Sequence, residues 1–240
     1  KRKQEDPYKC KEINSDVIAC KLLTFSVDRK YIDRMMKEVG THKKMIFDLR
    51  GNRGGYVSTE EYLTGYFFDR DVKIADFIMR DKTTERFAKS KKEDSYKGDL
   101  FVLVDSNSAS AAEVFARVMQ LQKRGKIVGD VSAGAVMTSI GMSMANQRGV
   151  TSMATFSFFG LSVTIGDLIM SDGNRLENVG VAPDHPVGPT GLALFTKQDP
   201  VLAFAAALAG ANLSPEDAGT YYFLTKKTED DGDDESDGDN

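Results

Sequence analysis

Tryptophan is absent, and histidine, cysteine and proline are scarce, at two, two and six among 240 residues. Two cysteines exclude a disulfide framework, and no zinc-finger spacing can be built from them. Cys10 and Cys20 flank Asn14-Ser15, a plausible hairpin turn. A three-residue loop there places them opposite each other, within bonding reach in an oxidising compartment. Two independent free thiols is the other reading. Long apolar runs are missing too: none approaches the ~20 residues that a membrane-spanning helix needs. No signal peptide is recognisable either, because Lys1 to Asp6 is polar. That start suggests a chain cut from a longer protein.

Positive charge of the kind that binds nucleic acid is also lacking. The net charge is -4, but Glu229 to Asp239 holds eight acidic residues and no base. With those acids set aside the remainder is near +4, without a concentrated basic run, which gives no case for nucleic acid. Residues 228–240 are therefore expected to be an acidic, disordered, solvated tail, and residues 1–227 the folded body. Hydrophobic residues make up 41% and charged residues 28%, ordinary for a globular chain. A chain of this length buries roughly 70–75% of its unfolded surface.

Tyr8 to Ile13 and Val17 to Leu23 read as paired strands. A helix is expected from about Val27 to Val39, capped by Ser26, with Ile32, Met35, Met36 and Val39 on one face. Met45 to Leu49 is a short apolar strand, and Ser58 to Phe68 looks helical. Val72 to Met79 suits a strand, and the charged stretch Asp81 to Gly98 a loop or hairpin. Leu100 to Asp105 is a continuous apolar run typical of a buried parallel strand. A helix from Ala111 to Gln122, a strand at Lys126 to Gly129 and an Ala-rich helix from Pro200 to Ala209 follow. Strand, helix and strand in succession imply right-handed crossovers and an α/β fold with one main, parallel sheet.

Ligands of open α/β sheets bind beyond the carboxyl ends of strands. Two such ends carry polar or glycine-rich loops. Arg50-Gly51-Asn52-Arg53-Gly54-Gly55 follows the first. Its glycines allow close backbone approach and outward N–H groups, which suits an oxyanion hole as well as a tight turn. Ser106-Asn107-Ser108-Ala109-Ser110 follows the second and precedes a helix. A serine there is a helix cap, or a nucleophile with the next N–H as oxyanion donor.

Taken in order, Asp48-Leu49-Arg50-Gly51-Asn52-x-Gly54-Gly55, Ser108-Ala109-Ser110-Ala111-Ala112-Glu113 and Gly180-Val181-Ala182-Pro183-Asp184 resemble the C-terminal processing, or tail-specific, serine peptidases. The resemblance runs from about Val17 to Leu208. It implies a ClpP/crotonase-like α/β core, its mainly parallel sheet flanked by helices, a peptide or protein substrate, and no metal or organic cofactor. Carried over residue by residue, it puts the nucleophile at Ser110. The oxyanion hole falls on the N–H of Ala111 and of Gly54 or Gly55, and Glu113 is a supporting residue. Asp105 anchors the loop.

One position departs from the family pattern. Many relatives carry a lysine general base in Gly-Glu-x-Thr-x-Gly-Lys-Gly. Here the stretch reads Gly129-Asp130-Val131-Ser132-Ala133-Gly134-Ala135-Val136, with Ala135 in the lysine position. A methyl group cannot take a proton. A lysine-free branch resembling the tricorn core uses histidine, supplied from upstream of the core. His185, just after Pro183-Asp184, is the better placed of the two histidines present, and His42 falls at the opposite end of its strand from the glycine turn. Asp184 and Glu177 suit turn or surface roles, and Arg50 an ion pair near the site. Phe156, Phe158 and Phe159 line a cleft or fill a core.

The resulting expectation is a serine endopeptidase. A catalytically inactive peptide-binding relative is the alternative, and an acyl-CoA enzyme of the crotonase kind is the least supported. The family resemblance also implies an extracytoplasmic location, periplasmic or secreted, and allows a homo-oligomer.

Overall fold

The computed structural model describes residues 6–143 and 160–222. The acidic tail and Phe156, Phe158 and Phe159 lie outside the described residues. Strand β1 (Tyr8–Asn14) turns back into β2 (Val17–Leu22). Cys10 and Cys20 face each other in that register and are joined by a disulfide.

Helix α1 (Arg29–Val39) buries Ile32, Met35, Met36 and Val39, the expected face. Its cap is Asp28, not Ser26: Asp28 accepts a hydrogen bond from Lys30 N at 3.0 Å, whereas Ser26 is drawn into a turn with Thr24 Oγ1. Strand β3 (Lys44–Asp48) leads through the glycine turn into α2 (Val57–Thr64), which ends in a 3-10 turn over Gly65–Phe67. Strands β4 (Val72–Met79) and β5 (Thr83–Ala88) form a hairpin. Strand β6 (Asp99–Val104), α3 (Ala111–Leu121) and β7 (Gly125–Gly129) make the crossover that the apolar runs predict. Strands β8 (Thr138–Ser143), β9 (Gly160–Met170) and β10 (His185–Pro186) follow, then α4 (Gly191–Phe195), α5 (Pro200–Leu208) and α6 (Pro215–Tyr222).

The main sheet has the order β1-β2-β3-β6-β7-β10, parallel except for β1. Alternation along its strands separates two cores. Met45, Phe47, Val102 and Val104 pack with Ile32, Met35, Phe115 and Met119 from α1 and α3. Ile46, Phe101 and Leu103 pack with Val201, Leu202 and Ala205 from α5. Both faces are thus covered, as a parallel sheet requires.

A second, antiparallel sheet, β5-β4-β9-β8, accompanies the expected main sheet. Strand β5 reads Thr-Thr-Glu-Arg-Phe-Ala and is largely exposed, so it has no apolar periodicity to announce it. Its pairing with β4 holds it in place.

Candidate active site

Strands β3 and β6 are parallel neighbours, so the glycine turn after one and the serine loop after the other emerge at the same, carboxyl end of the sheet. The two loops are stitched together. Gly51 N donates to Asp105 Oδ1 at 2.9 Å, Ala109 N to Asn52 O at 2.9 Å, and buried Ser108 Oγ to Leu49 O at 2.9 Å. Asp105 thus anchors the loop, as expected.

Asn52 joins three segments and is fully buried. Its Nδ2 donates to Leu22 O at 2.9 Å, its Oδ1 accepts from Gly54 N at 2.8 Å, and its carbonyl receives Ala109 N. The sequence displayed Asn52 within a motif but gave no sign of this role, because two of its three partners, Leu22 and Ala109, lie far along the chain.

Ser110 is the residue before α3 and has φ 56° and ψ -122°. A side chain at positive φ costs on the order of 1–3 kcal/mol and persists only where the surroundings impose it. They do so here. Ser110 N donates both to Ala135 O and to Glu113 Oε2, each at 2.9 Å. Gly54 lies against it at φ +88°, where an added Cβ would sit 2.7 Å from Ser110 Cβ and 2.9 Å from both Ala109 O and Ala111 N. Only glycine permits that approach.

The structure separates the two glycines expected at the oxyanion hole. Gly54 N–H is engaged by Asn52 Oδ1, so its contribution is its missing side chain rather than its donor. The N–H groups of Gly55 and Ala111 meet no acceptor among the described residues. Ala111 opens α3, where the first N–H groups lack helical partners and the dipole favours negative charge.

Glu113 is fully buried and accepts four hydrogen bonds. Oε1 takes Ser132 Oγ at 2.6 Å and Gly134 N at 2.7 Å, while Oε2 takes Ser110 N and Ala135 N at 2.9 Å each. It fastens the serine loop to the segment after β7. Ser132, where the family pattern has threonine, also accepts from Val181 N at 2.7 Å.

Ala135 adjoins Ser110 through its backbone, so the position read as the family's lysine does flank the serine, and it carries a methyl group. His185 makes no hydrogen bond to Ser110 among the described residues. It sits on β10, its ring 6.0 Å from that of Phe204, and lines a cavity with Asp99, Leu100 and Gly125 at the amino ends of β6 and β7. His42 Nδ1 is 2.7 Å from Val39 O and its Nε2 3.1 Å from Glu12 Oε1, again away from the serine loop. Among the described residues no histidine or lysine is hydrogen-bonded to Ser110.

The other motif residues are structural. Glu177 Oε2 accepts from Val136 N and Met137 N. Asp184 takes Ile127 N at 2.7 Å and Gln120 Nε2 at 2.9 Å. Arg50 bridges Asp48 and Asp199, at 2.8 and 2.6 Å, tying β3 to the residue that caps α5. Burial pushes the Asp48 carboxyl up, but the charges of Arg50 and Lys21 outweigh it and hold it at about 2. Burial likewise opposes the Arg50 charge, and Asp48 and Asp199 keep the guanidinium well above its usual range.

Among the described residues no helix is long and apolar enough to cross a membrane. The fold is like that of a peptidase from Parabacteroides merdae described as putative, with a TM-score of 0.69, 18% identity, and coverage of 86% of this chain and 65% of that one. The chain is 37% identical over 92 residues to the tail-specific protease of Haemophilus influenzae, and 24% identical over 140 residues to the carboxy-terminal processing protease CtpB of Bacillus subtilis. Those alignments cover 38% and 58% of this chain but only 13% and 26% of the two relatives' lengths. Residues 17–187, well over half of the chain, match the model of Peptidase family S41, and the chain belongs to that family.

Proposed function

We propose that this chain is the core of a serine peptidase acting on peptides or on carboxyl-terminal segments of proteins, with Ser110 as nucleophile. The contact of Gly54 with Ser110 Cβ and Ala111 N carries the reading. It places a strained serine, a helix N-terminus and a backbone turn around one point. Ser110 Oγ bonds to the substrate carbonyl carbon as its proton passes to a base. The N–H groups of Ala111 and Gly55 receive the oxyanion, each worth about 3 kcal/mol in the transition state. The tetrahedral intermediate collapses with loss of the amine, and water then releases the acid from the acyl-serine. With a methyl group at Ala135, the proton acceptor comes from outside the described residues, which fits the lysine-free branch of the family. The Cys10–Cys20 disulfide supports an oxidising, extracytoplasmic location.

A fluorophosphonate probe tests the nucleophile. Labelling of the wild-type chain that disappears in Ser110→Ala is expected. Equal labelling of both proteins refutes Ser110. Absence of labelling from both this chain and a version extended at its N-terminus refutes an activated serine, and shifts the reading to a peptide-binding relative.

A further inference from the structure

In the strand order β3-β6-β7, the glycine turn follows β3, the serine loop follows β6, and residues 131–137 follow β7. Ser110 therefore lies between two bordering segments whose chemistry differs. Residues 131–137 alternate strictly between the outside and the inside. Ser132, Gly134 and Val136 are buried, whereas Val131, Ala133, Ala135 and Met137 are exposed. The two larger outward side chains are 43% and 40% exposed, at Val131 and Met137. No outward position carries a charge.

Every backbone N–H of that segment is already committed. Val131 donates to Asp130 Oδ1, Ser132 to Val181 O and Ala133 to Ser108 O. Gly134 and Ala135 donate to Glu113, and Val136 and Met137 to Glu177. The carbonyls of Gly134 and Ala135 are taken by Asn178 N and Ser110 N. The segment therefore has no N–H with which to extend a β-ladder onto a substrate. The opposite border does have donors, because the N–H groups of Arg53 and Gly55 meet no acceptor among the described residues.

We infer that recognition is divided between the two segments bordering Ser110: the glycine turn holds the substrate backbone, and Val131, Ala133, Ala135 and Met137 read its side chains, selecting an extended peptide with apolar residues at alternating positions. The inference rests on the peptidase reading of Ser110. Side chains on one face of an extended peptide repeat every second residue, and the outward residues of the strip have the same period. A lysine at position 135 would interrupt the strip, and the alanine found there completes it.

Binding is measured apart from turnover, by fluorescence anisotropy on the full Ser110→Ala chain. The probes are two fluorescein-labelled peptides of equal length, one with Val and Leu at alternating positions and one with Glu and Ser there. The apolar peptide is expected to bind about tenfold or more tightly, a ratio that about 1.4 kcal/mol provides. Met137→Asp and Val131→Asp are each expected to remove that preference, and the gentler Met137→Gln and Val131→Thr to reduce it, with unchanged far-UV circular dichroism. Equal affinity for the two peptides overturns the inference, as does a preference that survives all four substitutions. Failure of both peptides to bind overturns it too. Fluorophosphonate labelling of the wild type is read separately. Labelling without an apolar preference sinks the strip alone, whereas an apolar preference without labelling sinks the peptidase reading and leaves the strip as a binding wall.

Discussion

Replacing Glu113 with glutamine keeps the size of the side chain and changes the chemistry at one end of it. The carboxylate has two oxygens facing four donors: Ser132 Oγ, and the N–H groups of Gly134, Ser110 and Ala135. A glutamine offers one oxygen and one NH2. If the NH2 takes the Oε2 side, it confronts two backbone N–H groups that cannot reverse. On the Oε1 side it confronts Gly134 N–H and a serine hydroxyl that can rotate to accept. The second orientation costs less and still leaves one buried N–H unpaired, a penalty of about 1–3 kcal/mol. The two bonds kept on the other side lose their charge assistance, at about 1 kcal/mol each. Relief from burying a charge offsets part of this, because no cation pairs with Glu113 among the described residues. The net expectation is a destabilisation of about 3 kcal/mol. Urea unfolding of Glu113→Gln, followed by far-UV circular dichroism since the chain has no tryptophan, measures it. Glu113→Ala, which orphans all four donors, should cost more. Stability of Glu113→Gln within about 1 kcal/mol of wild type, with undiminished labelling of Ser110, would refute the claim that this carboxylate holds the serine loop.

Gly54→Ala places a Cβ 2.7 Å from Ser110 Cβ at φ +88°. Overpacking and left-handed strain together should cost about 2–4 kcal/mol and abolish fluorophosphonate labelling, and a protein that still labels at the wild-type rate contradicts the close approach. Burial raises the fully buried Glu60 from its ordinary value of 4.5 to about 7, against the opposing pull of Arg86. The folded state then binds the extra proton, so this contribution to stability is present below pH 4.5 and lost as pH rises through 7, by about 3 kcal/mol in all. Urea midpoints between pH 4 and 8 should show that decline in wild type and not in Glu60→Gln, and parallel profiles exclude it. Ala135→Lys restores an amine beside Ser110 and should raise the fluorophosphonate labelling rate about tenfold or more, with a new inflection in its pH profile. An unchanged rate across the alkaline range argues that position 135 does not face the hydroxyl.

The parts of the fold legible in the sequence are those in which local pattern and tertiary burial agree. Strand β6 is a continuous apolar run with both faces covered, and α1 shows its buried face at helical spacing, so both fell within two residues of expectation. Strand β5 had no such signal, because its residues are exposed and its position follows from β4. The cap of α1 moved from Ser26 to Asp28 because Ser26 is occupied by a turn with Thr24, a competition between neighbours that residue type cannot decide. The site divides in the same way. The motifs located Ser110, Gly54 and Glu113, but only the fold shows that Gly54 N–H is spent on Asn52. Arg50 and Asp199 are 149 residues apart, with nothing local to pair them. Of the four donors to Glu113, only Ser110 is near it in sequence. The other three come from the segment beyond β7.

The way Ser110 is held explains how a chain can keep this geometry with no lysine at position 135. Every group that fixes the serine is a backbone atom or a buried polar side chain elsewhere: Ala135 O, Glu113 Oε2, the Asn52 carbonyl under Ala109, and Ser108 Oγ on Leu49 O. The side chain at 135 takes no part in these bonds, so replacing an amine by a methyl group leaves the posture of Ser110 untouched. Positioning and proton transfer are therefore separable here. The inward residues of the 131–137 segment, Ser132 and Gly134, are bound to Glu113, and Val136 is bound to Glu177 through its N–H. The outward ones are tied only through their backbones, which leaves their side chains free to change without disturbing Ser110.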